Sequence, residues 1–161
     1  MAKALIPGTY DPVTYGHLDI IVRASQIFDT IVVGVAASPN KNGRGPLFSL
    51  DERVAFIQQA TAHLGNVSVL PFDKLLVDFA LDIGAQAIVK GLRVVTDFES
   101  EFQQASVNYH LKPNLETLFI MSTAANMYLS SSMVKEVAAL HGSVADWVPP
   151  QVEAALRAQF S

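Results

Sequence analysis

Cysteine is missing altogether from this chain of 161 residues. That excludes a disulfide framework and a thiolate metal site, and it fits a reducing cytoplasm. Positive charge is scarce: eleven Lys and Arg stand against fifteen Asp and Glu, for a formal charge of -4. A general nucleic-acid binder usually carries a basic face, so no nucleic-acid partner is expected. Long hydrophobic runs are missing too. No segment reaches the length of a membrane span, and the N-terminus lacks the apolar h-region of a signal peptide, so no membrane partner is expected. No GxGxxG follows the first apolar run, which argues against a dinucleotide-binding dehydrogenase. There is no internal repeat, linker or low-complexity segment.

What is present is a core. Half the residues are apolar, and the mean hydropathy is +0.30. A length of 161 residues indicates one domain, 1–161. The apolar content is high for so small a chain and hints at surface buried between subunits.

Short apolar runs alternate with longer amphipathic segments. Ala2 to Ile6, Thr30 to Ala36, Val67 to Leu70, Ala87 to Val89 and Thr117 to Met121 read as strands. Between them lie helical patterns, including one opened by the capping box Ser49-Leu50-Asp51-Glu52 and one that Asp97 can cap. A last helix follows Pro149-Pro150. Strands alternating with helices of ten or more residues indicate βαβ units and a parallel sheet. Right-handed crossovers then give an α/β fold, a Rossmann-like doubly wound domain on a five-stranded parallel sheet.

One stretch organises the rest: Pro7-Gly8-Thr9-Tyr10-Asp11-Pro12-Val13-Thr14-Tyr15-Gly16-His17, which joins the first strand to the first helix. Strand-to-helix crossings are where α/β sheets bind ligands. Gly8 allows close backbone approach, Thr9 offers a hydroxyl and an amide, and His17 falls in the first helical turn, where free N–H groups favour phosphate. In a parallel sheet the strand ends share one edge, so four polar loops converge. Thr9, His17, Lys41, Lys90, Arg93 and Ser130 to Ser132 are therefore expected around one crevice. Three serines at a helix start exceed what a cap requires and suit an anion. Arg93 can grip a phosphate bidentately, while Lys90 acts as a point charge. His63, His110 and His141 have no ligand spacing, and no protein metal site is read from the sequence. Glu99 and Glu101, two apart on a helix, point in different directions and make a poor acid–base pair.

The pattern Thr14-x-Gly16-His17 resembles the (H/T)xGH signature of the nucleotidyltransferase superfamily. With PGTYDPVTYGH, ASPNK, LDERV, VKGLR, TDFESEFQ and YLSSSMVKEVA, the chain is similar from end to end to the bacterial phosphopantetheine adenylyltransferases. That resemblance implies transfer of the adenylyl group of ATP to 4′-phosphopantetheine, giving dephospho-CoA and pyrophosphate in coenzyme A biosynthesis, without a covalent intermediate. It implies Mg²⁺ as cofactor, a cytoplasmic homohexamer built as a dimer of trimers, and coenzyme A as a feedback ligand. It also implies roles. Thr9 contacts both substrates, His17 stabilises the transition state at the α-phosphate, and Lys41, Leu76 and Lys90 bind phosphopantetheine. Tyr10, His17, Gly91, Leu92, Arg93, Glu101 and the run Asn126, Met127, Tyr128, Leu129, Ser130, Ser131 and Ser132 bind ATP. Thr9, Lys41 and Lys90 join His17 in the catalytic set.

The chain departs from the common family pattern at Lys90, where many members carry Arg, at Ser100 in place of Tyr, and at Asn126 in place of Trp. The loop from Lys41 to Pro46 is longer. Two other readings stand beside this one. The first is a sister enzyme acting on nicotinate mononucleotide, or a cytidylyltransferase for glycerol phosphate. The second is a nucleotide-binding regulator without turnover.

Overall fold

The computed structural model describes residues 1–37 and 44–161, and for 95 and 96 the backbone alone. Lys41, expected in the site, lies outside the described residues. Strand β1 (Lys3–Gly8) runs into helix α1 (Tyr15–Ser25), then β2 (Thr30–Ala36), α2 (Leu50–Thr61), β3 (Val67–Phe72) and α3 (Leu76–Asp82). The second half follows as β4 (Ala87–Leu92), α4 (Val95–Leu111), β5 (Glu116–Met121), α5 (Ser131–Ala139) and α6 (Pro150–Gln159).

The five strands form one parallel sheet in the order β3-β2-β1-β4-β5. From β1 the chain winds outward to β3, then returns to the other side of β1 to lay down β4 and β5. The reversal falls between β1 and β4. Those two strands pair only at Ala4↔Ala87 and Leu5↔Ile88, whereas β1 pairs with β2 from Lys3↔Thr30 to Gly8↔Val35. Beyond Leu5 and Ile88 the two central strands part. A crevice therefore opens at their C-terminal ends, where the switch in winding direction leaves it uncovered.

Strand side chains alternate between two cores. Ala4, Ile6, Ile31, Val33, Val35 and Val89 face a larger cluster that includes Ile21, Ile57, Val134 and Leu156. Leu5, Val32 and Ile88 face a smaller one closed by Val77, Phe79 and Ala80 of α3. Burial on both sides explains why the strands read as continuous apolar runs.

Several boundaries differ from the sequence reading. Strand β1 does not stop at Ile6 but runs on through Pro7 and Gly8, which pair with Gly34 and Val35. Strand β3 continues through Pro71 to Phe72, which Pro permits because β3 is an edge strand. Strand β4 does not stop at Val89: Lys90, Gly91 and Leu92 pair with Phe119, Ile120 and Met121. Backbone pairing carries the strand past the end of its apolar run, so Lys90 and Gly91 sit in a strand rather than a loop. Helix α4 starts two residues before Asp97, after Val94, which makes no side-chain cap bond. Asp97 pairs instead with Arg93 at 2.8 Å. The capping box at Ser49 is present as expected: Glu52 N–H donates to Ser49 Oγ at 3.2 Å, and Ser49 N–H donates to Glu52 Oε2 at 2.8 Å.

Candidate active site

The crevice between β1 and β4 is a cavity of about 550 Å³, within the range of small-molecule sites. Its floor is Ile6 to Tyr10, and one wall carries Thr14, Gly16 and His17 at the start of α1. The opposite wall is Lys90, Gly91 and Arg93 from β4, with Asp97 and Glu101 from α4. Asn126, Leu129 and Ser130 to Ser132 close it. Three of the four loops expected to converge do so, and the fourth, with Lys41, lies outside the described residues.

His17 is held by its own helix. Thr14 is the N-cap of α1, and Thr14 N–H donates to His17 Nδ1 at 3.0 Å while His17 N–H donates to Thr14 Oγ1 at 3.3 Å. The imidazole thus closes a reciprocal capping box at the start of α1. That duty has a chemical consequence. With Nδ1 accepting a backbone N–H, the proton of the neutral ring is assigned to Nε2, which becomes a donor. Burial, reinforced by the positive charge of Arg93, lowers the His17 pKa to about 4. The ring is neutral at physiological pH, and its donor state is fixed.

Tyr10 braces the ring from the side. Its backbone φ is +52°, its hydroxyl donates to Ile6 C=O at 3.1 Å, and its ring meets His17 edge-on with centroids 5.0 Å apart. Burial pushes the phenol pKa up. Gly8 makes this possible, because a Cβ there would lie 2.9 Å from the Tyr10 ring. The space at its missing Cβ is taken up by Tyr10, while Gly8 itself lines the cavity.

The cationic wall is already engaged. Lys90 Nζ lies 2.6 Å from Glu101 Oε2, and it donates to Gln104 Oε1 at 2.8 Å. The Lys90–Glu101 contact is a close ion pair, with both side chains largely shielded from solvent. Arg93 donates from Nε to Asp97 at 2.8 Å and from Nη1 to Leu129 C=O at 2.6 Å, tying β4 to the segment before α5.

The serine run divides its labour. Ser130 is the N-cap of α5 and accepts from Met133 N–H at 3.1 Å. Ser131 Oγ donates to Pro12 C=O at 2.7 Å. Ser132 alone has an exposed side chain. The anion-binding capacity of this helix start therefore rests on its first-turn amides and Ser132 rather than on three hydroxyls. Among the other expected positions, Leu92, Met127 and Tyr128 do not line the cavity, and Tyr128 is exposed. Leu76 packs partly buried against the smaller core, away from the cavity lining.

Two residues that the sequence reading passed over or barely weighed hold the floor. Asp11, buried, accepts from Leu47 N–H at 2.8 Å and Phe48 N–H at 2.9 Å, and pairs with Lys135 Nζ at 2.8 Å. Arg53, the largest fully buried side chain, lies beneath Thr9. Its signal was its place on the stripe shared with Ile57 and Thr61, the buried face of α2.

The cytidylyltransferase-like family model matches residues 5–137, from β1 into α5. The chain belongs to the cytidylyltransferase-like family. The matched span contains the whole β1–β4 crevice and every residue named above on its walls. A solved structure of a provisionally assigned nicotinate-nucleotide adenylyltransferase from Vibrio parahaemolyticus superposes with a TM-score of 0.70, over 98% of this chain and 99% of that one, at 13% identity. At that identity the likeness speaks to the Rossmann-like fold. Nucleotidyl transfer is the chemistry that family membership supports.

Proposed function

We propose that this cytidylyltransferase-like protein transfers the adenylyl group of ATP to 4′-phosphopantetheine, releasing pyrophosphate and dephospho-CoA. The observation that carries the proposal is His17: a neutral imidazole, its Nδ1 occupied by Thr14 N–H at 3.0 Å, lining the same cavity as Lys90, Arg93 and the start of α5. The acceptor is taken from the resemblance carried by VKGLR and YLSSSMVKEVA.

The nucleophile is a phosphate oxygen, already anionic near neutral pH, so no strong protein base is required. The oxygen attacks the α-phosphorus in line as the bond to the β-phosphate breaks, and the electron pair leaves with pyrophosphate. Catalysis is then positioning and charge stabilisation. His17 Nε2–H donates to an α-phosphate oxygen as charge builds there. Lys90 bears on the acceptor phosphate, with Thr9 beneath it. Arg93 and the first-turn amides of α5 hold the β- and γ-phosphates. Glu101, Asn126 and Leu129 border the nucleotide. For the phosphate to reach Lys90, Glu101 must yield it.

Among the described residues no group of three or more His, Cys, Asp or Glu could hold a metal ion. The two carboxylates lining the cavity each face a cation. Mg²⁺ would therefore be carried by the phosphates of ATP and by water, as is usual for this ion. When bound, it neutralises charge on the leaving group.

A homohexamer is supported by α4, in which no described residue is buried and Phe98, Phe102 and Tyr109 are exposed. Among the described residues no helix is long and apolar enough to cross a membrane. Coenzyme A, a close relative of the product, would compete for the same cavity.

The test is mass spectrometry of purified protein with ATP, Mg²⁺ and 4′-phosphopantetheine, run beside CTP in place of ATP and nicotinate mononucleotide in place of the acceptor. Dephospho-CoA in the first mixture alone is the expected result. Product only with nicotinate mononucleotide would favour the activity named for the Vibrio structure. Bound ATP with no product anywhere would favour a regulator.

A further inference from the structure

Arg53 does not line the cavity, yet it is bonded to the cavity floor. Its guanidinium is a planar fork of five N–H donors. Nη1 donates to Thr9 C=O and to Ala36 C=O, each at 2.8 Å. Nη2 donates to Ala37 C=O at 3.3 Å, and Nε to Phe48 C=O at 3.1 Å. These carbonyls come from three pieces of backbone: the loop after β1, the end of β2, and the run into α2. Asp11 performs the complementary task from inside the first of those pieces. Its oxygens accept the N–H groups of Leu47 and Phe48. The chain leaving β2 and the chain entering α2 are thus each fastened to the Thr9–Asp11 loop by a buried charge, one through carbonyls and the other through amides.

Packing alone does not require this arrangement. Arg53 is 2% exposed, and among the described residues it makes no ion pair. Its pKa is lowered by burial, with Asp11 as a partial offset. An aliphatic side chain in line with Ile57 would fill the stripe without desolvating a charge. What an aliphatic chain cannot do is gather four carbonyls from three segments. Lysine, a single point donor, cannot span them either.

We propose that Arg53 is a positioning residue for nucleotidyl transfer, acting with Asp11 to lock the Thr9 loop to both stems of the segment between β2 and α2. This rests on the reading of the β1–β4 cavity as the transfer site. The loop that floors the cavity carries Thr9 and the Tyr10 ring that braces His17, so a small shift there moves the reacting groups out of line. Such shifts act on the transition state more than on the bound nucleotide.

The test uses full-length Arg53→Lys and Asp11→Asn proteins beside the parent. Measurements are thermal melting, ATP binding by calorimetry, kcat with the acceptor that the parent uses, and amide hydrogen exchange. Arg53→Lys is expected to fold and to bind ATP within about threefold of the parent, with kcat lowered about 10- to 100-fold, the scale set by misplacement of about 1 Å. Exchange protection is expected to fall together in residues 7–17 and 30–37. If Arg53→Lys does not fold, Asp11→Asn carries the test with the same expected pattern, its protection loss falling in 7–17 and 44–49. A folded variant with kcat within about twofold of the parent overturns the proposal. So does a loss of protection confined to 50–61. The exchange measurement needs no turnover, so a wrong choice of acceptor fails separately from the lock.

Discussion

His17 has two jobs that depend on one hydrogen bond. By accepting Thr14 N–H, Nδ1 ends the helix cleanly and leaves Nε2 as the donor. Burial, reinforced by the positive charge of Arg93, lowers its pKa to about 4, so the ring stays neutral and Nδ1 stays free to accept. His17→Ala is expected to lower kcat by about 10³-fold, as for loss of one donor to developing charge, with ATP affinity changed far less. Single-turnover measurements distinguish the two. The same residue makes stability depend on pH. The unfolded chain takes up a proton near pH 6.5 and the folded chain only near pH 4. Between those values the unfolded state binds more protons, so His17's contribution is whole above pH 6.5 and fades as pH falls toward 4. The stability advantage of the parent over His17→Asn is expected to shrink across that window by up to about 3 kcal/mol, measured by urea unfolding at each pH.

At the scale of elements, the β1–α1 crossing behaves as one packed unit. Gly8 is flat against Tyr10, Tyr10 is edge-on to His17, and Asp11 draws in the approach to α2. Gly8→Ala is expected to cost about 1–3 kcal/mol, because its methyl must displace a buried ring rather than a flexible tip. It is also expected to reduce kcat by disturbing His17. A matching fall in Tm and unchanged activity would separate packing from positioning. Much of this region was legible in the sequence. The strand, the motif and the helix period were visible, and so was the capping box at Ser49. The part that was not legible is the part made by backbone. Strand β4 gains Lys90 to Leu92 through ladder hydrogen bonds that leave no side-chain pattern. The serine run looked like three equal phosphate ligands, but two hydroxyls are occupied by a cap and by Pro12 C=O. Arg53 goes unremarked in the sequence: its spacing with Ile57 and Thr61 puts it on the buried face of α2, and its bonds to distant carbonyls show what it does there. Leu76 entered through resemblance alone, and the fold gives it an ordinary packing role.

At the scale of the molecule, the sheet is well covered near β1 and thinly covered near β5. Strand β5 is an edge strand, with Leu118 and Met121 exposed. Helix α4, beside it in the chain, keeps Phe98 and Phe102 stacked on each other at its surface, with ring centroids 5.8 Å apart. Exposed apolar surface gathered on one flank is the observation behind the proposed assembly. Phe102→Glu is expected to shift the sedimentation of the protein to a smaller species, with the β1–β4 cavity intact. The high apolar content of so small a chain would have the same physical origin if Phe102→Glu shifts the sedimentation.

The capping box at Thr14 carries a last consequence, for heat. Helix ends fray well before a fold gives way. In α1 the frayed end and the oriented imidazole are the same turn, so warming that loosens Thr14 from His17 removes the donor geometry while the two cores are still closed. Thermal inactivation of this protein should therefore begin as a reversible loss of alignment, some degrees below melting, and cooling should restore it.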